Sequence, residues 1–244
     1  NQYLADPAFV KLPISGLLAN DYLMKRSKLI TNKALTIPVK AGVPVGVDPQ
    51  YAADISPKLS GTTSIAIVDK NGNAVALTAT IESQFGSHIF TNGFFLNNEL
   101  TDFSLTAKDA QGKFIANRIQ PGKRSRSSIA STMVFNKNGG LLALTGSPGG
   151  SDIICFVAKN LILMLDMHLS PDLASDAINL CSPNRDPVIE SSANPIPQIA
   201  YLQNMGEIII RKPLVSGVTN ILRNPDGSWS GAADPRREGV ALGA

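Results

Sequence analysis

Three short stretches of this sequence hold residue types that could do chemistry. The first is Gly146-Ser147-Pro148-Gly149-Gly150-Ser151, set between an apolar strand pattern and a helix pattern. Glycines let backbone N–H groups come close to a ligand, and a helix N-terminus favours negative charge. The stretch therefore suits an anion or the developing oxyanion of acyl transfer. It serves equally as a tight strand-to-helix turn with no ligand. No Gly-Lys-Ser/Thr follows, which disfavours a Walker-type phosphate loop. The second stretch is Ser127-Ser128, just after Lys123, Arg124 and Arg126. Paired hydroxyls beside cations could hold a carboxylate; a solvated basic loop is the commoner use of such a run. The third is Thr62-Thr63, which opens a strand pattern directly after Ser60-Gly61. A threonine is a poor nucleophile unless a base stands beside it, and an N-terminal threonine can use its own α-amine. Here that amine would be released only by cutting the Gly61–Thr62 bond. A Thr-Thr pair at a strand start is otherwise ordinary β-propensity.

Other chemistries are poorly supplied. There is no G-x-S-x-G, and a Ser-His-Asp triad would have to recruit one of only two histidines, His88 and His168. The same scarcity leaves little for a histidine metal cluster; no metal or cofactor is expected. The two cysteines, Cys155 and Cys181, form no C-x-x-C pair, which argues against redox chemistry, a thiolate zinc site and a disulfide framework. A formal charge of +3 is too mild to imply a nucleic-acid partner. The longest apolar run, Ile153 to Met167, is broken by Lys159, Asn160 and Asp166 and is too short to span a bilayer. No signal peptide opens the chain, which starts abruptly at Asn1 as a fragment or a processed chain would.

These stretches need elements to position them. The 244 residues, 43% hydrophobic and 17% charged, are enough for a sizeable core in one large domain or two small ones. A helix is expected after Leu12-Pro13-Ile14-Ser15, with Lys25, Arg26 and Lys28 late, where the helix dipole favours cations. Thr36 to Gly61, with Pro38, Pro44, Pro49 and Pro57, reads as a linker. Ser64–Val68 and Ala74–Thr80 flank Asn71-Gly72 and predict a hairpin with a type I′ turn. Ser131–Phe135 and Leu141–Thr145 predict a second, turning at Asn138-Gly139-Gly140. Ser151 reads as the N-cap of a helix to about Met167, and Ser170-Pro171 opens another. A strand at Glu207–Arg211 and a hairpin around Asn224-Pro225-Asp226-Gly227 complete an α+β pattern with sheet packed on helix.

Taken together, the stretches resemble one family. The run Thr62-Thr63-Ser64-Ile65-Ala66-Ile67-Val68-Asp69-Lys70-Asn71-Gly72-Asn73-Ala74-Val75 resembles the start of the small subunit of γ-glutamyltranspeptidases. So do Phe85-Gly86-Ser87 and Leu96-Asn97-Asn98-Glu99-Leu100-Thr101-Asp102-Phe103. Lys123-Arg124-Ser125-Arg126-Ser127-Ser128 is similar to the family's paired-serine motif, and Thr145 to Ser151 to its glycine loop. Asp234-Pro235-Arg236-Arg237-Glu238-Gly239 is similar to its C-terminal signature. Upstream, Tyr3-Leu4-Ala5-Asp6-Pro7 and Gly16-Leu17-Leu18 resemble the end of its large subunit, and the likeness is collinear from Tyr3 to Gly243.

The resemblance implies a proenzyme (a zymogen) that cuts itself before a threonine, and an N-terminal-nucleophile hydrolase fold, an αββα sandwich that is partial here. Residues 1–61 would be the large-subunit end and linker, and residues 62–244 the small-subunit catalytic domain. The implied activity is γ-glutamyl transfer or hydrolysis on a small γ-glutamyl amide such as glutathione. Thr62 would be the nucleophile and its freed amine the base. Thr80 would hydrogen-bond the nucleophile, and Gly149 and Gly150 would form the oxyanion hole. Ser127 and Ser128 would hold the substrate α-carboxylate, and Glu99 and Asp102 would receive its α-ammonium. Hydroxyls for a carboxylate and acids for an ammonium suit the zwitterionic end of a γ-glutamyl group.

Three departures qualify this. Glu82 stands where the family often has an asparagine contacting the α-amine; it could tighten ammonium binding or mark another acyl group, as in related cephalosporin and glutaryl acylases. The segment between Asp102 and Ser127 is short, with no match to the family's lid tyrosine, which favours hydrolysis over transpeptidation. Most of the large subunit is absent, including the arginine that meets the substrate carboxylate. The alternatives are accordingly an acylase of the same fold, or a non-catalytic member or inactive uncut fragment. Sheet faces left uncovered would favour self-association of the fragment. The family's usual export implies a periplasmic or secreted protein.

Overall fold

The chain is described here by a computed structural model that covers residues 2–35, 37–54, 56, 61–191 and 196–243. It divides into two compact units, one of residues 1–58, 98–127 and 197–207, the other of residues 59–97, 128–196 and 208–244. The helices are α1 (Ile14–Leu17), α2 (Asn20–Ser27), α3 (Ile153–Leu161), α4 (Pro171–Asp176) and α5 (Pro197–Asn204). The strands are β1 (Thr62–Val68), β2 (Ala74–Thr80), β3 (Phe90–Thr91), β4 (Phe94–Phe95), β5 (Thr132–Phe135) and β6 (Leu141–Gly146). They continue as β7 (Leu180–Cys181), β8 (Val188–Glu190), β9 (Ile210–Lys212), β10 (Thr219–Arg223) and β11 (Trp229–Ala233).

The first unit holds α1, α2, α5 and long irregular stretches. The single helix expected after Pro13 is two, because Ala19 is extended (ψ 131°) between them. Lys25 and Arg26 fall in the last turn of α2, as the dipole argument requires. The proline-rich linker has no helix or strand among its described residues and is held by an isolated bridge, Ala52 to Ile115.

The second unit is layered. Its middle is an antiparallel four-stranded sheet in the order β11-β10-β6-β5. Ala143, Leu144 and Thr145 of β6 are all fully buried, so both faces of the sheet are covered. On one face lie α3 and α4. Asn220 of β10 reaches them with its Nδ2, donating to Asn160 Oδ1 at 2.7 Å and Ser175 Oγ at 3.0 Å, while Thr145 Oγ1 donates to Asn220 Oδ1 at 2.8 Å. Phe156, Val188, Leu214 and Val218 form the apolar core beside this network. On the other face lies the β1–β2 ribbon, joined to the sheet by hydroxyls. Ser64 Oγ is 3.2 Å from Thr219 Oγ1 and 3.3 Å from Thr78 Oγ1, and Ser131 Oγ donates to Thr78 Oγ1 at 2.7 Å. The outer face of the ribbon carries Ile65, Ile67, Val75 and Leu77, exposed by 45, 53, 49 and 50%. Among the described residues no helix is long and apolar enough to cross a membrane.

Several expectations need correction. The β1–β2 turn is not type I′: Gly72 has φ +83° but Asn71 stays at negative φ. Asp69 Oδ1 accepts from Asn71 N (2.8 Å) and Asn73 N (2.9 Å), and this side-chain turn replaces the paired positive-φ geometry. Ser151 does not cap α3. It lies inside a 3₁₀ turn, Gly150–Asp152, in which Asp152 N donates to Gly149 O at 3.1 Å and so satisfies a donor at the helix entry. The helix then ends in a π-helical turn at Ile162–Asp166. Pro171 opens α4 with Ser170 before it, as expected. The strand expected at Glu207–Arg211 is Ile210–Lys212, placed by parallel pairing with β8. Cys155 and Cys181, read as outside any disulfide framework, are bonded to each other, with Cα atoms 5.4 Å apart. The chain turns after α4 and returns as β7 beside α3, which sequence spacing alone did not reveal.

Lys159 of α3 is half-buried in this layer, with Nζ donating to Ala177 O (2.5 Å) and Asn179 Oδ1 (2.9 Å). Burial, helped by the Arg236 charge, pulls its pKa down to about 8. Between that value and the ordinary 10.5 the unfolded chain holds a proton that the folded chain has released, so stability from this group rises with pH across that window. Urea unfolding of the parent and of Lys159→Met at pH 7.5 and pH 9.5 should show the parent gaining on the variant at the higher pH. A difference independent of pH would contradict this assignment.

Candidate active site

Alternation along the ribbon decides which side chains face inward. Thr62, Ser64, Thr78 and Thr80 share the face turned to the four-stranded sheet, and Thr62 is paired directly with Thr80 at the open end of the hairpin. Thr62 is buried. Thr80 Oγ1 donates to the carbonyl oxygen of Gly61 at 2.9 Å and accepts from Glu82 N at 2.8 Å, so its hydroxyl is oriented from both sides. Gly61 is a close approach: a Cβ there would lie 2.6 Å from Glu82 O and 2.7 Å from Ser83 C. Glu82 is buried at φ +77°, a left-handed conformation that asparagine adopts more readily than glutamate.

The glycine loop leaves β6 on the same unit. Gly149 has φ +138° and Gly150 φ +59°. Ser147, fully buried, donates its hydroxyl to Pro148 O at 2.7 Å and accepts from Gly217 N at 3.2 Å, which fixes the loop's path. Gly149 and Gln84 line one cleft of about 570 Å³ together with Asp152, Lys212 and Arg237. The C-terminal signature supports this loop from behind. Asp234 accepts from Ser216 Oγ and from Val218 N (3.1 Å). Burial pushes the Asp234 carboxyl up, but bonds from Ser216, Val218 and Arg236 outweigh it and leave the group below the ordinary carboxylate range. Arg236 spans Glu190 (2.6 and 2.7 Å), Asp234 (3.1 Å) and Ser175 O (2.8 Å).

The remaining expected site residues fall in two places. Ser128 belongs to the second unit with Thr62, Thr80, Glu82, Gly149 and Gly150; Glu99, Asp102 and Ser127 belong to the first. Glu99 and Asp102 are the ends of a 3₁₀ turn, Glu99–Asp102, and residues three apart in a 3₁₀ turn lie on one side. The cations before Ser127 divide: Lys123 and Arg126 turn inward, while the Arg124 side chain is 78% exposed. Lys123 is buried, donating to Ala116 O (2.5 Å) and Arg118 O (3.1 Å). Arg124 pairs with Asp6 (3.4 Å), and Arg126 with Asp54 (3.1 Å). Sequence reasoning singled out neither Asp54, lost in a proline-rich linker, nor Asn117. Asn117 Nδ2 donates to Asp54 Oδ2 (3.2 Å) and Asp102 O (2.8 Å), and its Oδ1 accepts from Arg126 N (2.9 Å).

A hydroxyl-bearing ribbon, an antiparallel sheet and a helical layer, with a buried threonine at the ribbon's open end, define an N-terminal-nucleophile hydrolase fold. The chain belongs to the γ-glutamyltranspeptidase family, whose sequence profile matches residues 1–244. The glutathione hydrolase proenzyme of Pseudomonas sp. (strain A14) is 33% identical over 271 residues, covering 100% of this chain and 44% of that protein. That of Bacillus subtilis (strain 168) is 31% identical over 251 residues, covering 99% and 42%. The γ-glutamyltranspeptidase of Helicobacter pylori superposes with a TM-score of 0.63 at 32% identity, over 72% of this chain and 100% of that one. The chain thus spans less than half the length of the two proenzymes.

Gly149 and Gly72 make a controlled comparison. Both have positive φ, but a Cβ on Gly149 would sit 2.6 Å from the Phe156 ring, whereas one on Gly72 would meet nothing within 4 Å. Gly72→Ala should cost about 1 kcal/mol, and Gly149→Ala about 1–3 kcal/mol more. At about 2–4 °C per kcal/mol the two should separate clearly in thermal unfolding; equal melting temperatures would refute the close approach.

Proposed function

We propose that Thr62 is the nucleophile of a γ-glutamyl hydrolase or transferase acting on glutathione-like amides, released by self-cleavage at Gly61–Thr62. The observation that carries this reading is the hairpin end, where Thr62 opposes Thr80 and the Thr80 hydroxyl donates to the junction carbonyl of Gly61. In cleavage, Thr62 Oγ1 bonds to the Gly61 carbonyl carbon, and the C–N bond breaks to give an ester and a free Thr62 amine. Water then hydrolyses the ester. The Thr80 donor stabilises the oxygen on which charge develops.

In turnover the freed amine takes the proton from Oγ1 as it attacks the γ-carbonyl, and passes it to the departing amine. The N–H groups of Gly149 and Gly150 receive the oxyanion. Ser127 and Ser128 hold the α-carboxylate, while Glu99 and Asp102, with Glu82, hold the α-ammonium. The acyl-enzyme then passes to water or to an acceptor amine. Family membership and the proenzyme names of both relatives support this reading. This reading calls for a large-subunit segment as partner, in keeping with proenzymes more than twice the length of this chain.

In the full-length protein, N-terminal sequencing of the smaller product should read Thr-Thr-Ser-Ile. Thr62→Ala should abolish both cleavage and release of p-nitroaniline from γ-glutamyl-p-nitroanilide, and Thr62→Ser should retain both in part. A mature chain that begins elsewhere removes Thr62 from its role. Glutaryl amides, which lack the α-ammonium, should turn over far more slowly; equal rates would favour an acylase. The Cys155–Cys181 bond supports residence in an oxidising compartment, periplasmic or secreted. Protein taken from its host without reductant should then resist alkylation at both cysteines, and ready alkylation would argue against export.

A further inference from the structure

Asn117 is almost completely buried, at 1% exposure, and all of its amide hydrogens are used. Its two Nδ2 hydrogens go to the Asp54 carboxylate (3.2 Å) and the Asp102 carbonyl (2.8 Å), and its Oδ1 takes the N–H of Arg126 (2.9 Å). Beside it, Arg126 and Asp54 form an ion pair at 3.1 Å whose side chains are only 5% and 1% exposed. Asp54 Oδ1 also accepts from Ser56 N (2.9 Å), and Ser56 Oγ accepts from Leu105 N (3.0 Å). Three chain segments, 54–56, 102–105 and 117–126, therefore meet on one buried polar cluster, all within the first unit.

The places where the cluster grips are specific. One is the backbone of Asp102 itself; another is the N–H of Arg126, the residue directly before Ser127. We propose that Asn117, braced by the Asp54–Arg126 pair, is a positioning residue that sets the ammonium-holding Asp102 at a fixed span from the carboxylate-holding Ser127. This rests on the reading of Asp102 and Ser127 given above. An amide suits the position: aspartate would face the Asp54 carboxylate with a second one, and alanine would leave buried donors and acceptors unmet. Turning Arg126 inward also withdraws a cation from the residue beside Ser127, so a substrate carboxylate is read there by hydroxyls. Asp54 lies ahead of the Gly61–Thr62 junction and Arg126 after it, so the pair also ties together the two products of cleavage.

The test is steady-state kinetics of the processed full-length enzyme on γ-glutamyl-p-nitroanilide. A displacement of the order of 1 Å at a substrate-holding residue can cost up to about a hundredfold, so Asn117→Asp should raise KM about tenfold while kcat stays within about threefold. The double variant Asp54→Asn with Arg126→Gln, which removes both buried charges at once, should raise KM severalfold and decides the matter if Asn117→Asp does not fold. Asp102→Asn and Ser127→Ala are the direct controls. If the controls raise KM and both cluster variants leave it unchanged, the positioning role is overturned and the binding reading stands. If the controls leave KM unchanged, the binding reading falls and the proposal with it. A loss confined to kcat and melting temperature, with KM unmoved, would mark the cluster as structural support only and also overturn the proposal.

Discussion

A sheet covered on both faces must satisfy every polar group it buries, and that constraint organises the second unit. Asn220 sits in the middle of this sheet and reaches three elements at once, through Thr145, Asn160 and Ser175. Neutral partners of good geometry let it stay buried at little cost; an unmet amide there would cost about 1–3 kcal/mol. The same rule on the opposite face produces the hydroxyl contacts of Ser64, Thr78, Ser131 and Thr219. These contacts hold the ribbon in place, and the ribbon carries Thr62 and Thr80.

Charge is handled differently from neutral polarity. Two arginines turned inward are paired with acids: Arg236 with Glu190 and Asp234 through several contacts, Arg126 with Asp54 at 3.1 Å. Breaking one partner of such a pair is costly, because the other is left uncompensated. The C-terminal signature is explained in these terms. Asp234 and Arg236 lock the return of the chain against α4, β8 and the segment at Ser216 to Val218, while Arg237 is left to line the cleft with Gly149.

Much of this was legible in the sequence, and the reasons are local. Ribbon and sheet announce themselves through β-prone runs that flank turns of Asn and Gly, and α4 through Ser170-Pro171. The glycine loop was legible as a strand-to-helix turn from its place between two patterns, and only the family resemblance gave it a ligand. What could not be read depends on partners distant in the chain. The Cys155–Cys181 bond, the parallel pairing of β8 with β9, and the meeting of Asp54, Asn117 and Arg126 all join residues with no local signature of their joining. The basic run before Ser127 misled in part for the same reason: Arg124 is solvated as expected, but Arg126 is buried on Asp54, an acid far upstream.

Thr62 and Thr63 carry the same side chain, and while Gly61 remains joined to Thr62 nothing in their covalent chemistry separates them. Strand periodicity separates them, since one points toward the sheet and the other away. Their phase is set by the loop at the closed end of the hairpin, where the Asp69 carboxylate gathers the N–H groups of Asn71 and Asn73. Six residue steps of about 3.3 Å separate Val68 from Thr62, so the loop acts at a distance of roughly 20 Å. One residue added to or removed from that surface loop would disturb the register in which Thr62 stands opposite Thr80. The setting of Thr62 rather than Thr63 opposite Thr80 is thus shared between the hydroxyls that seat the ribbon and an exposed aspartate at the far end of the strand.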